Sequence, residues 1–274
     1  MGKMYNIGKS IGSKIADLNK KKTKYAWQCF ALSALIMMIP SFLFLITKQF
    51  FVLEYFGIAA MIATIINIGY CAIKIVEINR DISINTSGNQ GEMKTKIILY
   101  GLPEDYTVFS NVRVIHNGHD NEMDNVVVTP CYIYIIETKN YKGCLQGNAK
   151  DQNLRHMKTD SMGNQHETDI FNPIKQVQLH SRTLTSYLEE EIGVRLPVKP
   201  CVFFADSSVR LNLDGLEECE TPCFTSKEEL LQFLTESEME ILNHTSSPIP
   251  SDAVVESVLK LRKNANIPKT TPAH

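Results

Sequence analysis

Residues 122–140 read Glu122-Met-Asp124-Asn-Val-Val-Val-Thr-Pro130-Cys-Tyr-Ile-Tyr-Ile-Ile-Glu137-Thr-Lys139-Asn140. Two runs of β-branched and aromatic residues, 126–129 and 132–137, flank Pro130-Cys131. That is the pattern of a hairpin inside a sheet. Side chains alternate along a strand, so Glu137 and Lys139 share one face at the end of an otherwise apolar strand. Asp124 stands before the first run, and in this reading it approaches Glu137 only through a bend or an irregular connection. Two carboxylates hold a hard divalent cation through oxygen, and a neighbouring ammonium orients a water or steadies charge developing on a phosphate. Taken alone, Glu-x-Lys is also an ordinary strand-end ion pair.

Working outward, residues 91–102 fit a helix that ends near Pro103, residues 106–115 alternate as a strand, and His116-Asn-Gly-His-Asp120 is a turn. Residues 140–171 are rich in Asn, Gln, Asp and Gly and read as a looser region. Asn172-Pro173 then opens a helix running through Val177, Leu184 and Leu188. Residues 198–205 form a further strand and residues 227–234 a helix, while 241–274 reads as a polar tail with a possible short helix over 253–262. Together these imply one α/β domain over residues 91–240, joined to what precedes it by a polar linker at 81–90.

The upstream part is different in kind. Residues 25–47 and 55–73 carry no charged side chain. As helices they extend roughly 34 and 28 Å, close to the ~30 Å hydrocarbon thickness of a bilayer. Core helices of a soluble protein would show a polar stripe, and these runs show none. A cleaved signal peptide is the other alternative, but the first run exceeds a typical signal core and no small-residue cleavage site follows it. Pro40 inside the first run is read as a local bend. Lys20, Lys21, Lys22 and Lys24 precede the first run, Lys74 and Arg80 follow the second, and the connection between them offers only Lys48. This places both termini in the cytoplasm at a cell membrane crossed twice. Within the basic leader, residues 1–24, Ile7, Ile11, Ile15 and Leu18 suit an amphipathic helix on an anionic surface. Gly2 lacks the Ser or Thr that N-myristoylation wants four residues later.

The net charge of −2 over 274 residues is a cancellation. Residues 1–24 hold seven lysines and one aspartate, whereas residues 74–274 hold 20 basic and 28 acidic side chains. An acidic domain is a poor non-specific match to a polyanion. Lys142, Lys150, Arg155, Lys158, Lys175 and Arg182 flank the Glu-x-Lys segment and either line one groove or form a scattered solvated surface. With 14 glycines and seven dispersed cysteines, neither a collagen-like nor a disulfide-framework protein is implied. Cys219 with Cys223, and His116 with His119, are close pairs without the further ligands a zinc site needs.

Glu92 near a helix start, Glu122-x-Asp124 before three valines, Glu137-Thr-Lys139-Asn140 with Gly143 after it, and Asn172-Pro173-Ile-Lys-Gln176 occur in that order. As an ordered set over about residues 88–190 they resemble the nuclease-related (NERD) domain, a branch of the PD-(D/E)xK nuclease superfamily. The resemblance implies a restriction-endonuclease-like core, a mixed sheet flanked by helices. It further implies Asp124 and Glu137 as ligands of Mg²⁺ or Mn²⁺, Lys139 as catalytic lysine, Glu92 as a supporting carboxylate, and Gln176 as a helix-borne polar residue beside them. Leu154 and Asn125 depart from the family pattern, which commonly has Trp and His there. The implied activity is metal-dependent hydrolysis of DNA or RNA phosphodiesters by a membrane-anchored protein. The alternative is a catalytically silent tethered module that binds nucleic acid or protein.

Overall fold

The computed structural model describes residues 3–7, 11–160, 162–243 and 248–264. The remainder, which includes Gly2, parts of the leader and the end of the tail, lies outside the described residues. The chain divides into a unit over residues 10–87 and a second unit made of residues 1–9 and 88–274.

The first unit is a helical hairpin. Helix α1 spans Ile11–Thr47 with Pro40 inside it, and helix α2 spans Phe50–Tyr100, of which the part up to Ser87 belongs to this unit. Lys48 makes the turn with φ 58°. Both helices are long and apolar enough to cross a membrane. Trp27, Phe30, Leu45, Ile65 and Ile66 expose their side chains outward. Asn67 turns inward instead, and its Nδ2 donates to Ser33 Oγ at 2.9 Å and to the Cys29 carbonyl at 3.2 Å. In a hydrocarbon environment a polar side chain finds its partner on the neighbouring helix.

Residues 81–90 are helical rather than irregular, and the division between the two units falls within them, after Ser87. Their polar side chains do not break the helix because they fold back along it: Asn85 Nδ2 and Thr86 Oγ1 each donate to the carbonyl four residues earlier, at 2.7 Å. Glycine at position 91 serves close packing, since a Cβ there would stand 2.8 Å from Asn140 Cβ.

In the second unit, a six-stranded mixed sheet runs in the order β1-β2-β3-β4-β8-β10. Its strands are β1 Lys3–Asn6, β2 Thr107–His116, β3 His119–Val128, β4 Ile133–Lys139, β8 Val198–Phe204 and β10 Cys223–Phe224. A two-residue turn, Asn117-Gly118, closes the β2–β3 hairpin with both residues at positive φ, as that turn geometry demands. Strand β1 pairs in parallel with β2, and Ile7 after it is buried in the core. Ile7 is therefore not part of an amphipathic helix, and helix α1 begins only at Ile11. An apolar residue next to an edge strand gains more from entering the core than from a surface stripe.

The region 140–171 is not loose. It holds β5 Cys144–Asn148, β6 Asn153–Thr159 and β7 Gln165–Phe171, which with β9 Arg210–Asp214 form a second sheet ordered β7-β6-β5-β9. Only a few apolar residues of these strands, Leu145, Ile170, Leu211 and Leu213, join the main core, and Leu154 is buried beside them in the sheet. Most of the remaining polar residues face outward and mask the strand pattern, His156 being buried against the Lys142 carbonyl.

One face of the large sheet packs on helices α3 Pro173–Ile192 and α5 Ser251–Asn264, through Ile133 and Ile135 against Ile174, Val177, Leu184, Leu188, Val254 and Val258. The tail is thus partly a docked element, because α5 buries an apolar stripe of its own. The other face packs on the end of α2 and on α4 Lys227–Asn243, with Tyr134, Ile136 and Cys201 against Leu99, Leu102, Leu230 and Leu234. The architecture is α/β, a mixed sheet between helical layers. Helix α3 starts where Asn172 Oδ1 accepts the Ile174 N–H at 3.0 Å. The Asn172 Nδ2 also ties the helix to the second sheet through the Ala149 and Asp151 carbonyls, at 3.1 and 2.8 Å.

Candidate active site

The register of β3 against β4 pairs Asn125 with Ile136, so the next pair outward opposes Asp124 and Glu137. No bend is needed, which corrects the expectation from sequence. In an antiparallel hairpin the start of the first strand lies beside the end of the second. The Thr138 N–H donates to Asp124 Oδ2 at 2.8 Å, fixing that carboxylate across the strand.

Glu137 and Lys139 face α3, as alternation along β4 requires, while Thr138 points to the other face and donates to Thr95 of α2 at 3.1 Å. Lys139 Nζ lies 2.7 Å from Glu137 Oε1 and 3.0 Å from Gln176 Oε1. Gln176 stands in the first turns of α3, and one turn further His180 brings its Nδ1 to 3.3 Å from Glu137 Oε2. The structure therefore gathers Asp124, Glu137, Lys139 and Gln176 in one place. Glu92 comes from α2 on the opposite layer, where it is buried and lies 3.7 Å from Lys96. Its charge is close enough to act on Asp124.

Electrostatics divide the two central carboxylates. Burial, with the neighbouring charge of Glu137, pushes the Asp124 carboxyl well above its ordinary range against the pull of Lys139 and the Thr138 N–H. Glu137 pays the burial cost too, but Lys139 and His180 outweigh it and hold this carboxyl below its usual value. For Lys139 burial works against the charge, yet Glu137, Tyr141 and Asp124 prevail and keep it an ammonium. Lys139 thus presents a fixed positive charge and is not poised to abstract a proton.

Among the described residues no three His, Cys, Asp or Glu side chains form a ready-made cation cage. Mg²⁺ does not require one, since it is held by one or two carboxylates plus waters and substrate phosphates. The donors fit it: two carboxylates on adjacent strands, with Glu137 Oε2 buried and lacking an aligned hydrogen-bond partner.

His180 was not singled out from the sequence, although a signal existed. It lies three residues after Val177 and four before Leu184, on the buried stripe of α3, where a polar side chain requires a partner. The six basic residues flanking the motif do not all present free charge. Lys150 lies 3.6 Å from Glu218, and Arg155 pairs with Glu167 at 2.8 Å. Arg182 lines a separate cavity of about 480 Å³ with Ser186, Arg195 and Val198, toward the other end of α3.

Fold and site together define an α/β domain with a half-buried Asp–Glu–Lys constellation on adjacent strands of a mixed sheet. Residues 87–205 match the family described as nuclease-related domain, and this part of the chain is a NERD domain. An uncharacterized protein of Bacillus anthracis is 27% identical over 124 residues, covering 43% of this chain and 51% of that protein. The chain thus matches about half the length of that relative. No solved structure matches the chain significantly.

Proposed function

We propose that the chain is a membrane-anchored, metal-dependent nuclease that hydrolyses phosphodiester bonds of DNA or RNA on the cytoplasmic side. One observation carries the reading: Asp124 and Glu137 oppose each other across β3 and β4 while Lys139 Nζ is held 2.7 Å from Glu137. Asp124 and Glu137 would hold Mg²⁺ or Mn²⁺, which when bound supplies Lewis-acid polarisation of the phosphate and lowers the pKa of a coordinated water. Lys139, kept as an ammonium, orients the attacking water and offsets negative charge as the new P–O bond forms and the ester P–O bond breaks. Gln176 fixes the Lys139 head group through its Oε1 at 3.0 Å. Glu92 adds negative potential near Asp124 and so favours a cation there. The resemblance of these residues, in their order, to the PD-(D/E)xK pattern supports the same chemistry.

The test uses the full chain in detergent or nanodiscs with single- and double-stranded DNA and RNA. Cleavage is expected with Mg²⁺ or Mn²⁺ and none with EDTA. Cleavage that persists unchanged in EDTA overturns the metal mechanism.

A second reading, a catalytically silent module that binds nucleic acid or protein, draws support from the acidity of residues 74–274, with 28 acidic against 20 basic side chains. Binding without cleavage under every metal condition selects it. The lysine-rich leader and the near absence of positive charge between the spans support cytoplasmic termini. A reporter fused to the carboxyl terminus is expected to be active only on the cytoplasmic side, and activity outside the cell refutes this orientation.

A further inference from the structure

Helix α3 brings two polar residues one turn apart, Gln176 and His180, against the Glu137–Lys139 pair. The first accounts for Lys139, whose ammonium it accepts. His180 has no such evident task, yet it is buried at 5% exposure on a stripe with Ile174, Val177, Leu184 and Leu188, where the other buried polar side chain, Thr183, has hydrogen-bond partners in Asn121 and the Leu179 carbonyl. A leucine there would pack as well, and a buried imidazole without a bonded partner costs free energy. Its Nδ1 lies 3.3 Å from Glu137 Oε2, and both atoms are buried without an aligned hydrogen bond. The other oxygen, Oε1, is taken by Lys139 at 2.7 Å. A small rotation of the imidazole ring closes a Nδ1–H···Oε2 bond, after which each Glu137 oxygen accepts one hydrogen bond and keeps a second lone pair for a cation.

We propose that His180 is a positioning residue for the metal site: its Nδ1–H fixes the rotation of the Glu137 carboxylate so that this group meets a divalent cation in one orientation. The inference rests on the proposed metal-dependent reading. Groups that orient a ligating carboxylate stand outside the coordination sphere, and their loss typically lowers metal affinity about 10- to 100-fold. His180 touches neither the cation nor the phosphate. It acts through Glu137, as Gln176 acts through Lys139.

The choice of conservative variant follows from the geometry. The amide nitrogen of asparagine replaces imidazole Nδ1, so His180→Asn keeps a donor toward Glu137, whereas His180→Leu keeps the packing and removes the donor. Mn²⁺ binding to the full-length chain, measured by electron paramagnetic resonance titration, reads the site independently of any nuclease activity. Near-native affinity is expected for His180→Asn and a loss of about 10- to 100-fold for His180→Leu, with circular dichroism unchanged in both. Undiminished Mn²⁺ affinity in a folded His180→Leu overturns the role. Equal loss in both variants with the fold intact also overturns it, because a retained donor would then confer nothing. Nitrogen modulation on the bound Mn²⁺, abolished by His180→Leu, would place the imidazole among the ligands and refute the outer position. A wild-type chain that binds no Mn²⁺ refutes the metal-dependent reading itself and this inference with it, whereas binding without cleavage leaves the His180 comparison decisive.

Discussion

Lys139→Ala is expected to abolish cleavage and to destabilise the domain at the same time, and the two effects can be separated. Glu137 is 2% exposed and Lys139 18%, with 2.7 Å between the charged atoms. Removing the ammonium leaves a buried carboxylate without its counter-charge, a change that costs about 3 to 5 kcal/mol. It also removes the fixed charge that the proposed mechanism offers to the phosphate, for which a loss of about 100- to 1,000-fold in cleavage rate is expected. The double change Glu137→Gln with Lys139→Met replaces the pair by neutral groups of similar size. Its stability should return to within about 1 kcal/mol of the wild type, since neutral replacements of buried pairs are well tolerated. Activity should not return, because a carboxylate proposed to hold the metal has gone. Denaturant unfolding and a cleavage assay on the three proteins measure both quantities, and a double variant as unstable as Lys139→Ala overturns the buried-pair argument.

The single variant also carries a pH signature. Without Lys139, burial pushes the Glu137 carboxyl up against the pull of His180 alone, so the folded variant binds that proton more tightly than the folded wild type does. Stability contributed by such a group is present at low pH and is lost as pH rises through the folded value. The deficit of Lys139→Ala should therefore shrink as pH falls from neutrality, and the same titration of the double variant should show no such recovery.

These expectations depend on residues that differ in how legible they were. The Glu137–Lys139 face follows from alternation along one strand and needs no tertiary information. The opposition of Asp124 and Glu137 follows from hairpin register, which the sequence also contains: Pro130-Cys131 sits at the turn, and counting outward from it on both sides brings residue 124 beside residue 137. The bend expected there reflected a shortened first strand, because the polar run 119–125 hides the first seven residues of β3. Polar composition misled in the same way over residues 81–90 and 140–171. Asn85 and Thr86 satisfy themselves along a helix, and strands that contribute one apolar residue in three or four carry little periodic signal. His180 and Gln176 needed the helix placed against the sheet. Their i, i+4 spacing is visible in sequence, but the strand face they meet is a tertiary fact.

The second sheet gives the other large effect. Gly143, four residues beyond Lys139, has φ +92°, and a Cβ there would run into the Met157 carbonyl and lie 3.1 Å from Lys158 Cα. Neither obstacle is a flexible side-chain end. Met157 is paired with Cys144 in the β5–β6 ladder, and the Gly143 carbonyl accepts the Arg210 N–H at 2.8 Å, so backbone on both sides is fixed. Gly143→Ala must therefore displace β6 or give up the start of β5. A residue with a Cβ pays about 1 to 2 kcal/mol for the left-handed backbone alone, and displacing a paired strand brings the expected loss to about 3 kcal/mol or more. That is a large part of the roughly 5 to 15 kcal/mol that stabilises a typical domain. Gly118 supplies the control: it also has positive φ, at +78°, but a Cβ there meets nothing within 4 Å. Gly118→Ala is thus expected to cost only the backbone term, about 1 kcal/mol. Denaturant unfolding of the two variants should separate them by at least about 2 kcal/mol, and equal losses would show that backbone conformation alone, rather than the close approach of β6, accounts for glycine at position 143.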